Sequence, residues 1–425
     1  MRKLPGRIAS WAVRRYVNSR GGPSSLLTVI PSRVLYPLHR EGLDPVPKLT
    51  DGPPIRRLRL PLSSAVWLVT GNAEVKQVLG AIDGYSTDFA HYVEKLNLPP
   101  QANPGGLGFT DPPAHTRLRR LLTPEFTMHR LARLRPRIDE IVNGCLDAMA
   151  AADGPVDLVE MFALPIPSLV ICELLGVPYD DREEFQRRAM QRFDVLGGGA
   201  SSLGALSESV DYLLGVIQQQ REKPGDGLLG AIITEHGDEI DDLELAGLAD
   251  GVLTGGFETT ASMLALGALV LLQNPEAFAA VRDDDDAVVP LVEELLRYLS
   301  VVQVAFARFA QHDVTVGDVV IRKGDVVLCS LSAANRDPRV LSEPNRFDHT
   351  RRPGPHLAFG HGMHRCVGAE LARMELRSAY PALVRRFPHM RLHTPREQLP
   401  FRKASIVYGL EELLVDLGTP VPAAG

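Results

Sequence analysis

One cysteine of this chain stands in a context that suits metal chemistry. Cys366 lies in the segment Phe359–Gly368, which reads FGHGMHRCVG. Gly360 and Gly362 permit positive φ and a close backbone approach, so backbone amides can be directed at the sulfur. The residues after Cys366 have a helical composition, and a helix N-terminus lowers the pKa of a thiol. Such a thiolate is a strong electron donor, whereas the alternative is a buried structural cysteine in a glycine-rich turn.

The spacing within this segment indicates a loop that binds haem iron. Its phenylalanine, three glycines, histidine and cysteine resemble the haem loop of the cytochrome P450 superfamily. An axial thiolate favours cleavage of the O–O bond, so the resemblance implies a haem-thiolate monooxygenase with Cys366 on the iron of haem b. Gly368 would let the next helix approach the flat ring, and Phe359 could shield the sulfur. His364 or Arg365 could reach a haem carboxylate or the protein surface.

A second motif, GGFETT at residues 255–260, lies in an apolar stretch from about 243 to 273 that predicts a long helix. Glu258 is the only charged side chain in its second half, and a buried unpaired carboxylate is costly, which indicates a function. Gly256 with its glycine neighbour and Thr259 predict a local bulge, and a kink with a capped threonine is the alternative. The resemblance implies that Thr259 holds water or oxygen while Glu258 relays protons.

Glu294 and Arg297 are three residues apart and therefore share a helix face. Exposed pairs at this spacing are common and contribute little to stability. The resemblance implies instead a buried pair that locks its helix to the loop before the cysteine. It also implies that the segment 345–347 completes the network, although Asn345 and Arg346 could equally be surface residues.

His115 and Arg119 are four residues apart in a predicted helix, so both donors lie on one face and suit a carboxylate. The resemblance assigns both side chains to the haem propionates. It adds Arg308 and also His356, which lies just before the haem loop.

The chain is acidic, with a net charge of −6, yet arginines recur on segments that the resemblance places on the cysteine side of the haem. A basic face on an acidic protein predicts a docking site for an acidic electron carrier, with ordinary solvated arginines as the alternative. Nucleic acid is a poor candidate because neither a binding motif nor a basic excess is present. The arginines concerned are Arg117, Arg120, Arg130, Arg133, Arg135 and Arg365.

Domain organisation follows from the distribution of the motifs. They extend from about residue 111 to 368 and must converge on one cofactor, so we expect a single domain over 26–425. The preceding residues 1–25 form a basic extension, either a frayed tail or an amphipathic anchor. The longest apolar run, 263–272, is too short to cross a membrane, and we expect a monomer without a transmembrane segment.

The four cysteines lack CxxC spacing, which supports neither a disulfide framework nor a zinc site and predicts a cytoplasmic location. Strands are expected near residues 55–60 and 65–70, a helix from Ala73, and a small sheet over 314–328. Helices dominate up to Arg297. The predicted fold class is therefore mainly α with minor β, a single large P450-type helical fold with small sheets.

The segments that build the substrate pocket in this family are largely apolar here, which favours a hydrophobic substrate such as a lipid, terpenoid or macrolide-like metabolite. They comprise 85–109, 195–204, the helix face with Gly251, Thr254 and Gly255, 301–305 and 405–408, with Gly197–Gly199 interpreted as a mobile lid hinge.

The chain contains no fused flavin or nicotinamide domain, so we expect electrons from a separate ferredoxin and ferredoxin reductase, with NAD(P)H used only indirectly. Three alternatives remain open at this stage: a peroxide-driven enzyme, a redox-neutral rearrangement, and a haem-thiolate sensor or ligand carrier without turnover.

Overall fold

The computed structural model describes residues 36–58, 64–88, 90–91, 106–177, 202–403 and 405–422, with the backbone alone for 202–209. The predicted N-terminal extension and the predicted lid hinge Gly197–Gly199 lie outside these ranges. Within them the chain is mainly helical with small sheets, which confirms the predicted fold class. The α-helices are α1 (Pro47–Thr50), α2 (Asn72–Gly80), α3 (Ala114–Leu122), α4 (Met128–Leu131), α5 (Arg135–Ala150), α6 (Pro165–Leu175), α7 (Ser202–Glu222), α8 (Leu228–His236), α9 (Asp242–Gln273), α10 (Pro275–Asp283), α11 (Val288–Leu299), α12 (Leu331–Ala334) and α13 (Ala369–Arg386).

Short strands surround one face of this helical body. They are β1 (Arg40–Glu41), β2 (Asp44–Pro45), β3 (Ile55–Leu58), β4 (Val66–Val69), β5 (Tyr85–Ser86), β6 (Val156–Asp157), β7 (Arg308–Ala310), β8 (Val314–Val316), β9 (Val319–Ile321), β10 (Val326–Cys329), β11 (Arg391–Leu392) and β12 (Leu414–Asp416). A five-stranded sheet has the order β3-β4-β10-β7-β5, in which β4 and β10 are parallel. A three-stranded sheet has the order β11-β12-β6.

The strands β3 and β4 and the start of α2 confirm the local sequence predictions. The predicted small sheet over 314–328 divides between two structures. Its first two strands form the β8–β9 hairpin, while β10 leaves the hairpin and joins β4 and β7 in the five-stranded sheet. Turn residues set the hairpin, but β4, the parallel partner of β10, is more than 250 residues away in sequence, so no local signal predicts this pairing.

The long helix α9 crosses the centre of the molecule. Its N-terminus is capped by Asp241, whose carboxylate accepts the Glu244 N–H at 2.8 Å, and it ends at Asn274 before Pro275 begins α10. By length and composition α9 could cross a membrane, but 78% of its most apolar window is buried inside the protein, as in a core helix.

The predicted bulge in α9 is not present. Thr259 Oγ1 donates a hydrogen bond to the Gly255 carbonyl at 2.7 Å, as predicted, yet the helix remains α-helical over its whole length. A threonine hydroxyl can share a carbonyl one turn earlier without breaking the helical ladder. The two glycines therefore provide space on the helix surface rather than a change of helix type.

Helix α13, which follows the cysteine loop, packs directly on α9. Gly267 has no side chain, and the Tyr380 ring occupies the space a Cβ would need there. The Tyr380 hydroxyl donates to the Met263 carbonyl at 2.5 Å. The largest hydrophobic core surrounds this contact, so the two motif-bearing segments are held in a fixed relation by buried packing.

Candidate active site

The loop that carries Cys366 has the backbone geometry that its glycines predict. Gly360 and Gly362 have φ values of 70° and 73°, which glycine adopts without strain. At Gly362 an added Cβ would overlap the Leu79 carbonyl, because the loop lies against the end of α2. The Cys366 N–H donates to the Phe359 carbonyl at 2.9 Å, which closes the loop just before α13 begins.

Cys366 differs from the other three cysteines in its environment. Cys145, Cys172 and Cys329 are buried, and burial raises the pKa of Cys145 to about 11 and that of Cys329 to about 12. Cys366 is the exposed one of the four. The residue is accessible to solvent, but neighbouring protein groups shift the pKa of its thiol.

The pKa of the Cys366 thiol lies above its ordinary value, because low solvation is the largest influence on it. A hydrogen bond from the Gly368 amide and the charges of Arg119, Arg365 and Arg373 act in the opposite direction and lower the pKa. A Cβ built on Gly368 would lie 4.0 Å from the sulfur, so the glycine leaves the start of α13 uncrowded there. Phe359 lies under the Arg373 guanidinium, 4.7 Å from the ring centroid.

Four basic side chains from separate elements meet beside this loop. His115 and Arg119 come from α3, Arg308 from β7, and His364 from the cysteine loop. The charges of Arg308 and Arg119 both act on the pKa values of the two histidines. Burial and the charge of Arg308 lower the pKa of His364 to about 3, so this imidazole is neutral near pH 7.

The two histidines in this cluster have unused hydrogen-bonding capacity. Their rings lie 4.3 Å apart, centroid to centroid. His115 Nε2 and His364 Nδ1 are buried and have no hydrogen-bond partner among the described residues. Buried polar atoms are normally paired, so this cluster of donors fits an acidic group that is not part of the chain. The carboxylates of a haem are such groups, and the neighbouring thiol fits its iron.

His356 does not belong to this cluster, which corrects its predicted placement. Its Nε2 lies 3.2 Å from Glu293 Oε2, and its Nδ1 accepts the Ala358 N–H at 3.2 Å. Glu293 also binds Arg373 at 2.7 Å. The chain just before the loop is held against α11 and α13, and the later histidine of the loop, His364, reaches the donor cluster instead.

Glu293 is strongly held in its ionised form. Burial alone would raise its pKa, but hydrogen bonds from Arg373 and His356 keep the pKa well below its usual range. This ion pair network joins α11 to α13 directly behind the cysteine loop. His356 therefore stabilises the segment before the cysteine loop through Glu293 and does not belong to the cluster of donors around His115.

The pair Glu294 and Arg297 is buried, as the resemblance implies. Arg297 donates to both oxygens of Glu294, at 2.7 and 2.8 Å, and their side chains are 9% and 2% exposed. The guanidinium also donates to the carbonyls of Asn335 and Pro344, at 3.0 and 2.9 Å. Arg351 completes the network with a bond to Glu294 at 3.3 Å.

Asn335 extends this network to the cysteine loop. Its side chain accepts the Leu357 N–H at 2.7 Å, two residues before Phe359. Arg346 contributes only its carbonyl, at 3.4 Å from Arg297, while its side chain pairs with Glu343 on the surface. Asn345 takes part through its side chain, which accepts a hydrogen bond at 3.3 Å from Arg336, and Arg336 shares the Pro344 carbonyl with Arg297.

The side chains of Glu258 and Thr259 lie at the middle of α9. Glu258 is 7% exposed, and burial raises its pKa to about 7 against the opposing charge of Arg402. Arg402 Nη1 lies 3.1 Å from Glu258 Oε1. The sequence motifs gave no signal for Arg402, because it is 144 residues away in a segment without a recognisable pattern.

The exposed face of α9 adjoins these two residues. Gly251, Thr254 and Gly255 are exposed although the rest of the helix is largely buried. Gly256 has a different environment from the one predicted, since a Cβ there would meet Ile171 Cδ1 at 3.0 Å. Gly256 lets α6 approach α9, and Gly255 is the glycine on the open face.

Four of the six arginines predicted to form a basic face have acidic partners. Arg130 lies 2.8 Å from Glu235, and Arg133 lies 3.2 Å from Glu125. Arg117 pairs with Glu244 and Arg120 with Glu239. Arg135 and Arg365 are exposed. The positive charge of this surface is therefore partly neutralised within the chain.

Comparison with known proteins agrees with this geometry. The family model for cytochrome P450 matches residues 54–223 and 204–409. Cytochrome P450 165B3 of Amycolatopsis orientalis is 39% identical over 396 residues, covering 89% of this chain and 98% of that protein. The vitamin D3 dihydroxylase of Streptomyces griseolus is 41% identical over 381 residues, covering 87% and 92% respectively.

The solved structure of P450 StaH, from glycopeptide antibiotic A47934 biosynthesis, has 42% sequence identity and a TM-score of 0.83. It covers 89% of this chain and 99% of its own. Proteins of this kind are monooxygenases that use haem with a cysteine thiolate as the iron ligand and take their electrons from redox partners. On its motifs, its fold and these matches, the chain belongs to the cytochrome P450 family.

Proposed function

We propose that this P450 inserts one atom of molecular oxygen into a hydrophobic organic substrate, by hydroxylation or epoxidation, with Cys366 as the iron ligand. The observation that carries the proposal is the arrangement around that cysteine. A single exposed thiol adjoins two imidazoles that each have a buried, unpartnered nitrogen, and an acid and alcohol pair adjoins the open face of α9.

The donor cluster would hold the cofactor in one orientation. Arg119 and Arg308 supply positive charge for the haem propionates, and His115 and His364 supply the imidazole nitrogens that lack partners. Phe359, Gly360 and Gly368 shape the loop around the sulfur. The bound haem supplies the activation of molecular oxygen. The Gly368 amide and nearby guanidinium groups oppose the effect of burial on the sulfur and would help to hold it as the thiolate once the iron is bound.

Glu258 would relay protons from solvent, and Thr259 would hold the water or oxygen that receives them. The Thr259 hydroxyl donates to Gly255 at rest, which fixes the hydroxyl oxygen as an acceptor toward the open face. A pKa of about 7 lets the Glu258 carboxyl both take up and give a proton near neutral pH. A ligand carrier without turnover would not require this pair, which favours the enzyme over the sensor. The same pair favours oxygen over preformed peroxide as the oxidant.

Exposed apolar side chains within or next to the predicted pocket segments support an apolar substrate. Phe306 is 51% exposed and packs on Phe109, with ring centroids 4.7 Å apart, and Ile406 is 58% exposed. The names of two relatives point to large ring-containing molecules, vitamin D3 in one and a glycopeptide antibiotic in the other. We propose a substrate of that size, such as a lipid, terpenoid or macrolide-like metabolite.

An aromatic peptide is a second substrate class. The match to P450 StaH of glycopeptide antibiotic biosynthesis covers almost the whole of that chain, and exposed aromatic side chains such as Phe306 can stack on aromatic rings. A peptide substrate would add polar groups that a lipid lacks. Binding measurements therefore separate the two classes.

We propose a ferredoxin and its reductase as the electron source, with NAD(P)H oxidised by the reductase. Arg365 and Arg135 are the exposed arginines on which an acidic carrier would act, with the paired arginines around them exchanging partners on docking. We also propose one cytoplasmic domain over residues 26–425 that acts as a monomer.

The test is a spectral titration of the ferric protein with lipids, steroids, terpenes, macrolides and linear aromatic peptides. Binding beside the iron displaces its water and shifts the Soret band toward high spin. We expect one chemical class to give the shift, and the ferredoxin system to convert that class into a product that carries one atom from labelled oxygen. A substrate that binds and reacts without label incorporation would overturn the monooxygenase proposal.

A further inference from the structure

We propose that Arg402 is a positioning residue for Glu258, and that it links proton delivery to the loop bordering the substrate space. This inference rests on the proposed role of Glu258 as the proton-relay acid. Arg402 lies outside the haem loop, the α9 motif and the propionate cluster, so its role is additional to theirs.

The contact is a partly buried ion pair. The Glu258 and Arg402 side chains are 10% and 21% exposed, and the joined atoms lie 3.1 Å apart. An ion pair shielded in this way is stronger than a surface pair, because less water screens it. Among the described residues, Arg402 is the charged group placed against this carboxylate, and the nearest acid on α9 is Asp250, two turns earlier.

Arg402 belongs to a turn here named the C-terminal loop, whose described residues are 401–403 and 405–410. Phe401 and Leu410 form an antiparallel bridge, and the Arg402 N–H donates to the Gly409 carbonyl at 2.9 Å. The Phe401 ring stacks on Tyr408, with centroids 5.7 Å apart. These contacts fix the position of the backbone from which Arg402 extends.

The C-terminal loop rests directly on α9. A Cβ at Gly409 would approach Ser262 Oγ to 2.7 Å, so a side chain there would push the loop away from the helix. Ser262 is one turn after Glu258, and its hydroxyl is buried without a hydrogen-bond partner among the described residues. The C-terminal loop is therefore held against α9 near Glu258 in two ways, by the close contact at Gly409 and by the ion pair of Arg402.

The opposite edge of the loop pairs with the segment 301–305, and the family resemblance assigns both this segment and 405–408 to the substrate pocket. Val302 and Val407 form a bridge, and the Gln303 N–H donates to the Ile406 carbonyl at 2.9 Å. Ile406 itself is 58% exposed at the loop tip. A substrate that packs against Ile406 thus acts on the same short loop that holds Arg402, which couples occupancy of the pocket to the state of Glu258.

The charge of Arg402 favours the ionised form of Glu258, whereas burial favours the protonated form. Removing the charge should leave the acid protonated over a wider pH range and free to rotate. An acid with a higher pKa gives up its proton less readily, so coupling of reductant to product should fall. Substrate affinity should change little, because Arg402 is not required to contact the substrate.

The experiment is infrared spectroscopy of the ferric holoprotein as a function of pH, which needs no turnover. The band of protonated Glu258 is identified by its loss in Glu258→Gln. In Arg402→Gln we expect its midpoint to rise by about 1 pH unit or more. Arg402→Lys should restore most of the difference, and Ser262→Ala, at the same loop contact, should leave the midpoint unchanged.

A wild-type midpoint in Arg402→Gln would overturn the inference, as would equal midpoints in the lysine and glutamine variants. Haem content, measured on the same samples, identifies a variant that has merely lost its fold. Product and peroxide yields then separate this inference from the proposed function. If Glu258→Gln leaves both yields unchanged, the proposed proton relay fails whatever the infrared result for Arg402.

Discussion

The ring of His115 lies 4.3 Å from the ring of His364, and each histidine has a buried nitrogen without a hydrogen-bond partner among the described residues. Two such atoms side by side would be costly in a folded chain that used neither. With Arg119 and Arg308 beside them, the pair forms a receptor for negative groups. This arrangement connects the fold of the chain to the cofactor of its family.

Replacing His364 by alanine should lower the fraction of protein purified with haem, because one donor to the propionates is lost. His356→Ala provides the matched control, since His356 is the histidine that pairs with Glu293. We expect the control to retain haem while losing thermal stability. Haem content is measured against protein concentration after gel filtration. The opposite ranking of the two variants would restore His356 to the cofactor site and remove His364.

Thr259→Ala should divert reducing equivalents from product to hydrogen peroxide. The hydroxyl on the open face of α9 would be lost, while the helix would lose only a bond to Gly255. Thr234 makes the same type of bond, to Gly230 at 2.8 Å, on the remote helix α8. Thr234→Ala should therefore leave the yields of product and peroxide unchanged. Normal product yield in Thr259→Ala would exclude the proposed role of this hydroxyl.

Product formation should depend on pH through Glu258. Its pKa of about 7 means that the protonated form, which donates, dominates below pH 7 and decreases as the pH rises above it. The rate at saturating substrate should therefore fall as the pH rises above 7. Glu258→Gln should lower the rate by about 10²-fold and remove this fall. The rate of electron transfer from the ferredoxin is measured at each pH. If the fall in product formation above pH 7 persists in Glu258→Gln, the pH dependence belongs to electron transfer and not to Glu258.

Breaking the Glu294–Arg297 pair should destabilise the protein strongly. Glu294→Gln leaves Arg297 buried with reduced compensation, and loss of one partner of a buried pair typically costs about 3–5 kcal/mol. Glu343→Gln removes an exposed partner of Arg346 and should change stability by less than about 0.5 kcal/mol. The free energies of unfolding come from denaturant titration of the holoproteins. Similar free energies of unfolding for the two variants would show that the buried network does not stabilise the segment before the cysteine loop.

The success of sequence reasoning depended on how local each signal was. The cysteine loop and the threonine bond follow from neighbouring residues, and the structure shows both. Arg402 could not be predicted, because its contact with Glu258 spans 144 residues and depends on how a C-terminal turn packs.

The exchange of His356 for His364 has the same origin. His356 precedes the cysteine loop and His364 lies within it, and the packing of the preceding segment on α11 decides which of them reaches His115. Gly256 and Gly255 likewise differ only in which side of α9 they occupy. A one-residue difference rotates a side chain by about 100° around a helix, and the neighbouring helix α6 decides which side is filled.

The most direct test of the whole account is the absorption spectrum of the reduced carbon monoxide complex of the wild type and of Cys366→Ser. The wild type should show the strongly red-shifted Soret band that distinguishes thiolate from imidazole ligation. The variant should lose that band, whether or not it retains haem. A thiolate-type band that survives in Cys366→Ser, or an imidazole-type band in the freshly purified wild type, would contradict the assignment of Cys366 as the iron ligand.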